Sequence, residues 1–195
     1  MSERIEGSCR KNHLFEHAAS DKVNPIIMDR HDKILIAVDG TDASLKAVDY
    51  VARMMGGRKD LHVRLFHALP PIPPQLLEYG GTEDPQKERE LSAELHAAQA
   101  DWTAQAKRSA QTSLEATLAL LIDHGFLSEN LSTEFFSSIH KPDVAREVLE
   151  AAEKWDCGTI VTGRHCLSWA QELFYRHVGE ELVHRAKGYA VWVVE

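Results

Sequence analysis

The run Lys33-Ile-Leu-Ile-Ala-Val38 is apolar at every position after its lysine, and it closes on Asp39-Gly-Thr-Asp42. It is far shorter than the roughly 20 residues a membrane helix needs. It shows no polar alternation, so it leaves no face for water and reads as a strand buried on both sides. Strands of that kind belong to parallel sheets covered by helices on both faces. The rest of the chain must then supply crossover helices, and its pattern does so.

Asp39–Asp42 carries turn and N-cap chemistry. Leu45, Val48, Ala52 and Met55 then recur at helical spacing until Gly56-Gly57. Leu61–His67 reads as a second strand, and Pro70, Pro71, Pro73 and Pro74 as an extended loop. From Gln86 to His124 there is neither Gly nor Pro. Leu91, Leu95, Ala98, Trp102, Ala106, Ala110, Leu114, Leu118 and Leu121 keep helical spacing there, and Gly125 closes the run. One helix of that length would extend about 58 Å at ~1.5 Å per residue, far above the usual mean. The segment is therefore either a single helix that projects past the sheet or two helices. Its Ala- and Gln-rich middle, Gln99–Thr112, is the part expected to project or to pack on a partner.

Leu131–Phe136 is the third strand. Pro142 suits the first turn of a helix whose apolar face is Val144, Val148, Leu149, Ala152 and Trp155. Thr159–Thr162 is a fourth strand ending at Gly163. Trp169, Leu173, Phe174, Val178, Leu182 and Ala186 mark the last helix, and Tyr189–Val194 is the fifth strand. In doubly wound sheets ligands sit outside the carboxyl ends of the strands. That rule directs attention to Asp39–Thr41, the loop after Ala68, and Gly163–Ser168. Residues 1–30 show no clear periodicity and read as a flexible N-terminal extension, leaving 31–195 as the domain. His13 and His17 in that extension are four apart and could share a helix face, but a metal site there would need further ligands.

A length of 195 residues fits one domain with an appendage. The net charge of −8 and a pI of about 5.8 argue against general nucleic-acid binding, which needs a basic face. Cys9, Cys157 and Cys166 are too scattered for a disulfide framework or metal cluster, and a reducing cytoplasm is the simplest setting. The Met-Ser-Glu-Arg start lacks a signal-peptide apolar core, and no run is long enough to cross a bilayer. A cytoplasmic protein without membrane or nucleic-acid partners is expected.

The string from Lys33 to Val48, with Leu65-Phe-His-Ala68 and Thr159-Ile-Val-Thr-Gly-Arg-His165, resembles the universal stress protein family. That resemblance covers roughly residues 31–195. It implies a five-stranded parallel sheet of order 3-2-1-4-5 with helices on both faces, a Rossmann-like α/β fold. ATP-binding members carry a motif of Gly, two residues, Gly, nine residues, Gly and then Ser or Thr. Here Gly163 holds the first place, Cys166 the second, and Arg176-His177 the last pair. Glycines let backbone amides approach phosphate oxygens, and side chains at those places obstruct the approach. Arg164, His165, Arg176 and His177 bring positive charge to the same region, so arginines offer an alternative phosphate clamp. The resemblance also implies that Asp39 holds the adenine-ribose end and that Ala68 and Val178 line the pocket. In this chain Asp39 serves equally well as a turn-capping residue.

Other chemistry is weaker. Asp39–Ser44 has one Gly where the phosphate loop of ATP pyrophosphatases needs a Ser-Gly-Gly turn. The chain has no Gly-rich loop ending in Lys-Ser/Thr, no Gly-x-Gly-x-x-Gly and no Gly-x-Ser-x-Gly elbow. Cys166 beside His165 has no third orienting group. His62 and His67 are odd-spaced on a strand and face opposite sides. In the implied order the last strand is an edge, apolar on both faces, which invites pairing. Because the family commonly dimerises there, a homodimer is expected. Two functions follow as expectations: a non-enzymatic, dimeric, partner-binding stress-response protein without family-like ATP binding, or an adenine-nucleotide-binding switch or weak ATPase with a rebuilt phosphate site.

Overall fold

The computed structural model describes residues 29–77, 83–137, 143–164 and 178–195. Its strands are β1 (Lys33–Val38), β2 (His62–Ala68), β3 (Leu131–Phe136), β4 (Thr159–Gly163) and β5 (Ala190–Val194). Its long helices are α1 (Asp42–Met55), α2 (Pro85–Asp123), α3 (Val144–Lys154) and α4 (Val178–Arg185). All strand pairs are parallel, and the sheet order is β3-β2-β1-β4-β5. The order implied by the family resemblance is the order found. Pro142, Trp169 and the first part of the last apolar helical pattern lie outside the described residues.

Side-chain alternation along β1 builds the two cores. Ile34, Ile36 and Val38 point to one face, where they pack with Val48, Val51, Leu114 and Leu121. Leu35 and Ala37 point to the other, where Val144, Val148, Ile160 and Leu182 cover them. Thus α1 and α2 form one layer, α3 and α4 the opposite layer, and β1 is buried between them. Full burial of such an aliphatic side chain is worth about 1.5–3 kcal/mol.

Side chains cap the starts of α1, α2 and α3, the first within the Asp39–Asp42 turn where N-cap chemistry is expected. The Thr41 hydroxyl accepts from Ser44 N–H at 3.4 Å, Asp84 from Gln86 N–H at 2.9 Å and Asp143 from Arg146 N–H at 3.0 Å. The Gly-free and Pro-free segment resolves into one helix. α2 runs 39 residues without interruption, and Gly125 at φ +92° turns the chain away after it. Its buried residues are Leu114, Thr117 and Leu121, all in the last third. Toward its start, Gln99 donates to the carbonyl of Leu76 at 2.6 Å. The preceding proline-rich loop, with Ile72 buried, therefore packs along the section expected to project.

Candidate functional site

The carboxyl ends of β1 and β2 open into a cleft of about 500 Å³ beneath α2. Its floor is the Asp39-Gly40 turn and His67, and its roof is the helix face bearing Trp102, Gln105, Ser109 and Ser113. Those roof residues repeat at three- and four-residue intervals, as one helix face requires. Gly40 takes φ +80°, and a Cβ there would lie 3.7 Å from the Ser113 hydroxyl. The tight turn after β1 thus brings the backbone against α2. The Ala-rich section of α2 lies partly over the strand ends, a placement that the periodicity alone did not specify.

Asp39 is built into the turn. Its Oδ1 accepts from Thr41 N–H at 3.0 Å and from the Thr41 hydroxyl at 2.6 Å. The same hydroxyl accepts from Ser44 N–H, so Asp39, Thr41 and the first turn of α1 form one chain of hydrogen bonds. His67 is 4% exposed, and its ring lies 5.6 Å from that of Phe135. Burial pushes the imidazole below its ordinary range, although the Asp39 charge acts in the opposite direction. The ring is thus held neutral at pH 7, and its buried Nδ1 has no hydrogen-bond partner among the described residues.

The other sequence-selected residues divide between two places. Ala68 is buried on the α3/α4 face of the sheet, and Val178 packs against the same cluster. Both therefore belong to the core on that face, across the sheet from the His67 cleft. Gly163 ends β4 where a Cβ would lie 2.3 Å from the carbonyl oxygen of Ala43. Only glycine permits the first turn of α1 to sit this close. Arg164 N–H donates to the carbonyl of Val194 at 2.7 Å, and its guanidinium pairs with Glu195. It thus fastens the end of β5. Arg176, with His165, Cys166 and His177, lies outside the described residues. The described members of the expected nucleotide set therefore have structural partners. Among the described residues no group of His, Cys, Asp and Glu is arranged to hold a metal ion, and no helix is long and apolar enough to cross a membrane.

Sequence reasoning missed His67 as a floor residue and α2 as a roof. The spacing of Trp102, Gln105, Ser109 and Ser113 was available as a signal, because polar and aromatic groups share a face otherwise made of alanines.

This combination defines a doubly wound α/β protein with a crevice at the carboxyl ends of its strands. The profile of the universal stress protein family matches residues 30–195, so the chain belongs to that family. Solved structures agree at the level of fold. The hypothetical protein MJ0577 is 19% identical with a TM-score of 0.58, over 85% of this chain and 96% of its own. A universal stress protein family member from Burkholderia pseudomallei is 17% identical with a TM-score of 0.54, over 85% and 96%. A member from Arabidopsis thaliana, solved with AMP bound, is 13% identical with a TM-score of 0.51, over 83% and 90%. A search of curated proteins gave no match.

Proposed function

We propose that this universal stress protein works as a non-enzymatic, dimeric, partner-binding protein in the stress response, without the family's triphosphate site. The observation that carries this reading is the use already made of the residues at the ends of β1 and β4. Asp39 holds the α1 turn, Gly163 admits the Ala43 carbonyl, and Arg164 pairs with Glu195. The dimer reading rests on the two sheet edges, which differ. β3 carries Ser132, Thr133 and Glu134, as a strand meant to stay unpaired does. β5 carries Val191, Trp192, Val193 and Val194, with Val193 exposed beside the exposed Val183 of α4. Such an edge supports pairing with a second copy.

A second reading, an adenine-nucleotide switch, draws on the cleft under α2 and on the Arabidopsis relative solved with AMP. Mass spectrometry of small molecules released on denaturation, with calorimetric titration of ATP, separates the two. An empty protein that gives no heat supports the first reading. Bound ATP that is lost in Arg176→Ala overturns it in favour of a rebuilt phosphate site. Sedimentation velocity tests the dimer: Val193→Lys should convert it to a monomer, and a wild-type mass that stays monomeric at all concentrations would remove it.

A further inference from the structure

A second cavity, of about 320 Å³, lies at the opposite end of the sheet, under the amino ends of β1, β2 and β3. β2 spans seven residues, so at ~3.3 Å per residue about 20 Å separates this cavity from the crevice above. Arg64 dominates it. Val63 and Leu65 pack toward the α1/α2 face, so Arg64 points to the other face, where Trp155 caps α3. The guanidinium carbon lies 3.1 Å from the centroid of the Trp155 ring. That contact uses one flat face of the cation.

The hydrogens of a guanidinium all lie in its plane and point out from its edge. Stacking on indole therefore leaves them unspent. Among the described residues no oxygen accepts a hydrogen bond from Arg64. The carboxylate that attracts it, Glu134, already accepts from Trp155 Nε1 at 2.6 Å and from Lys154 Nζ at 3.0 Å. Those donors are not sealed off in the core, so they stay open to an acceptor that enters the cavity. The remaining wall is mixed: Lys33, His62 and Ser132 can donate, Asn130 Nδ2 already donates to the Lys59 carbonyl at 2.9 Å, and Glu129 is its acidic member. Lys33 also meets Asp156 at 3.2 Å, and the carboxyl end of α3 disfavours negative charge, so binding here depends on the guanidinium edge.

We propose that this cavity binds a small oxyanion, a carboxylate or a phosphate ester, through paired in-plane hydrogen bonds from Arg64. Trp155 would orient the cation and Ser132 and His62 would lie beside the bound group. The fork of a guanidinium matches two oxygens of either anion, a match that lysine lacks. This site is separate from the crevice and does not depend on whether nucleotide binds there.

The test uses the full chain, titrated separately with inorganic phosphate and with acetate. Calorimetry measures affinity while NMR follows the Arg64 Nε–H and Trp155 indole N–H signals. At least one anion should bind with a Kd of about 1 mM or tighter and shift both signals. Arg64→Lys should weaken binding roughly tenfold and Arg64→Gln should abolish it. Stronger binding of phosphate identifies a phosphate ester as the physiological class, and stronger binding of acetate identifies a carboxylate. The proposal fails if neither anion moves the two signals at roughly 20 mM, twenty times that Kd. It also fails if binding survives in folded Arg64→Gln, because the anion then sits elsewhere. Should that variant not fold, the wild-type signals alone decide.

Discussion

Replacing Gly163 with alanine is the sharpest probe of why glycine stands at the end of β4. The added Cβ would lie 2.3 Å from the Ala43 carbonyl oxygen and 2.5 Å from its carbon. Both atoms are backbone at the start of α1, held by the Thr41 cap and the Asp39 turn. They cannot rotate aside as a side-chain tip can. Overpacking a tight site costs about 1–3 kcal/mol, and a contact against fixed backbone belongs at the upper end, about 3 kcal/mol. For a protein of this size ~1 kcal/mol shifts Tm by about 2–4 °C, so a fall of roughly 6–12 °C is expected. The measurement is thermal and urea unfolding of nucleotide-free protein. Adding Ala43→Gly should restore little, because it removes the Cβ contact at 3.1 Å but leaves the carbonyl in place. If Gly163→Ala changed Tm by under about 1 °C, the close-approach argument would be wrong. Glycine would then be there for a ligand rather than for α1.

Other outcomes follow from the same geometry. Burial pushes the Cys157 thiol up to about 11, so a variant lacking Cys9 and Cys166 should resist alkylation at pH 8 when folded and react fully when unfolded. The hydrogen bond from Arg185, with that from Arg146 N–H, holds the Asp143 carboxyl below its ordinary range despite burial. A depressed native value means that the carboxylate stabilises the fold above the unfolded value near 3.8 and ceases to do so as pH falls through the native value. Asp143→Ala should therefore cost about 1 kcal/mol at pH 7, and the gap from wild type should close in acid below that value. Leu121→Ala should destabilise by about 2–5 kcal/mol in urea unfolding, because this fully buried residue is one of few that seat α2 on the sheet. A loss below about 1 kcal/mol would mean that the α2 end is not packed as described.

Much of the fold was legible because buried parallel strands need continuous apolar runs and crossover helices need a 3.6-residue repeat. Residues Lys33–Val38, Leu131–Phe136 and Thr159–Gly163 appear as strands at the expected places, and Thr41 caps the helix after the first of them. The sheet order came from the family resemblance, since strand runs alone do not say which neighbours pair. The continuity of α2 was left open by a segment without Gly or Pro, because covering its middle depends on a loop that precedes it.

The sequence by itself determined the alternating elements, the cap of α1 and the burial of both faces of β1, since each rests on short-range periodicity or on side chains within four residues. Tertiary structure alone decided how the candidate residues are used. Arg164 met Glu195, Gly163 admitted the Ala43 carbonyl, and α2 came to roof the Asp39 turn. Arg64 met Trp155, some 90 residues further along the chain, at an end of the sheet where no motif pointed. The physical reason is that a side chain's partner is set by which distant backbone packs beside it, and neither charge nor spacing along the chain records that distance.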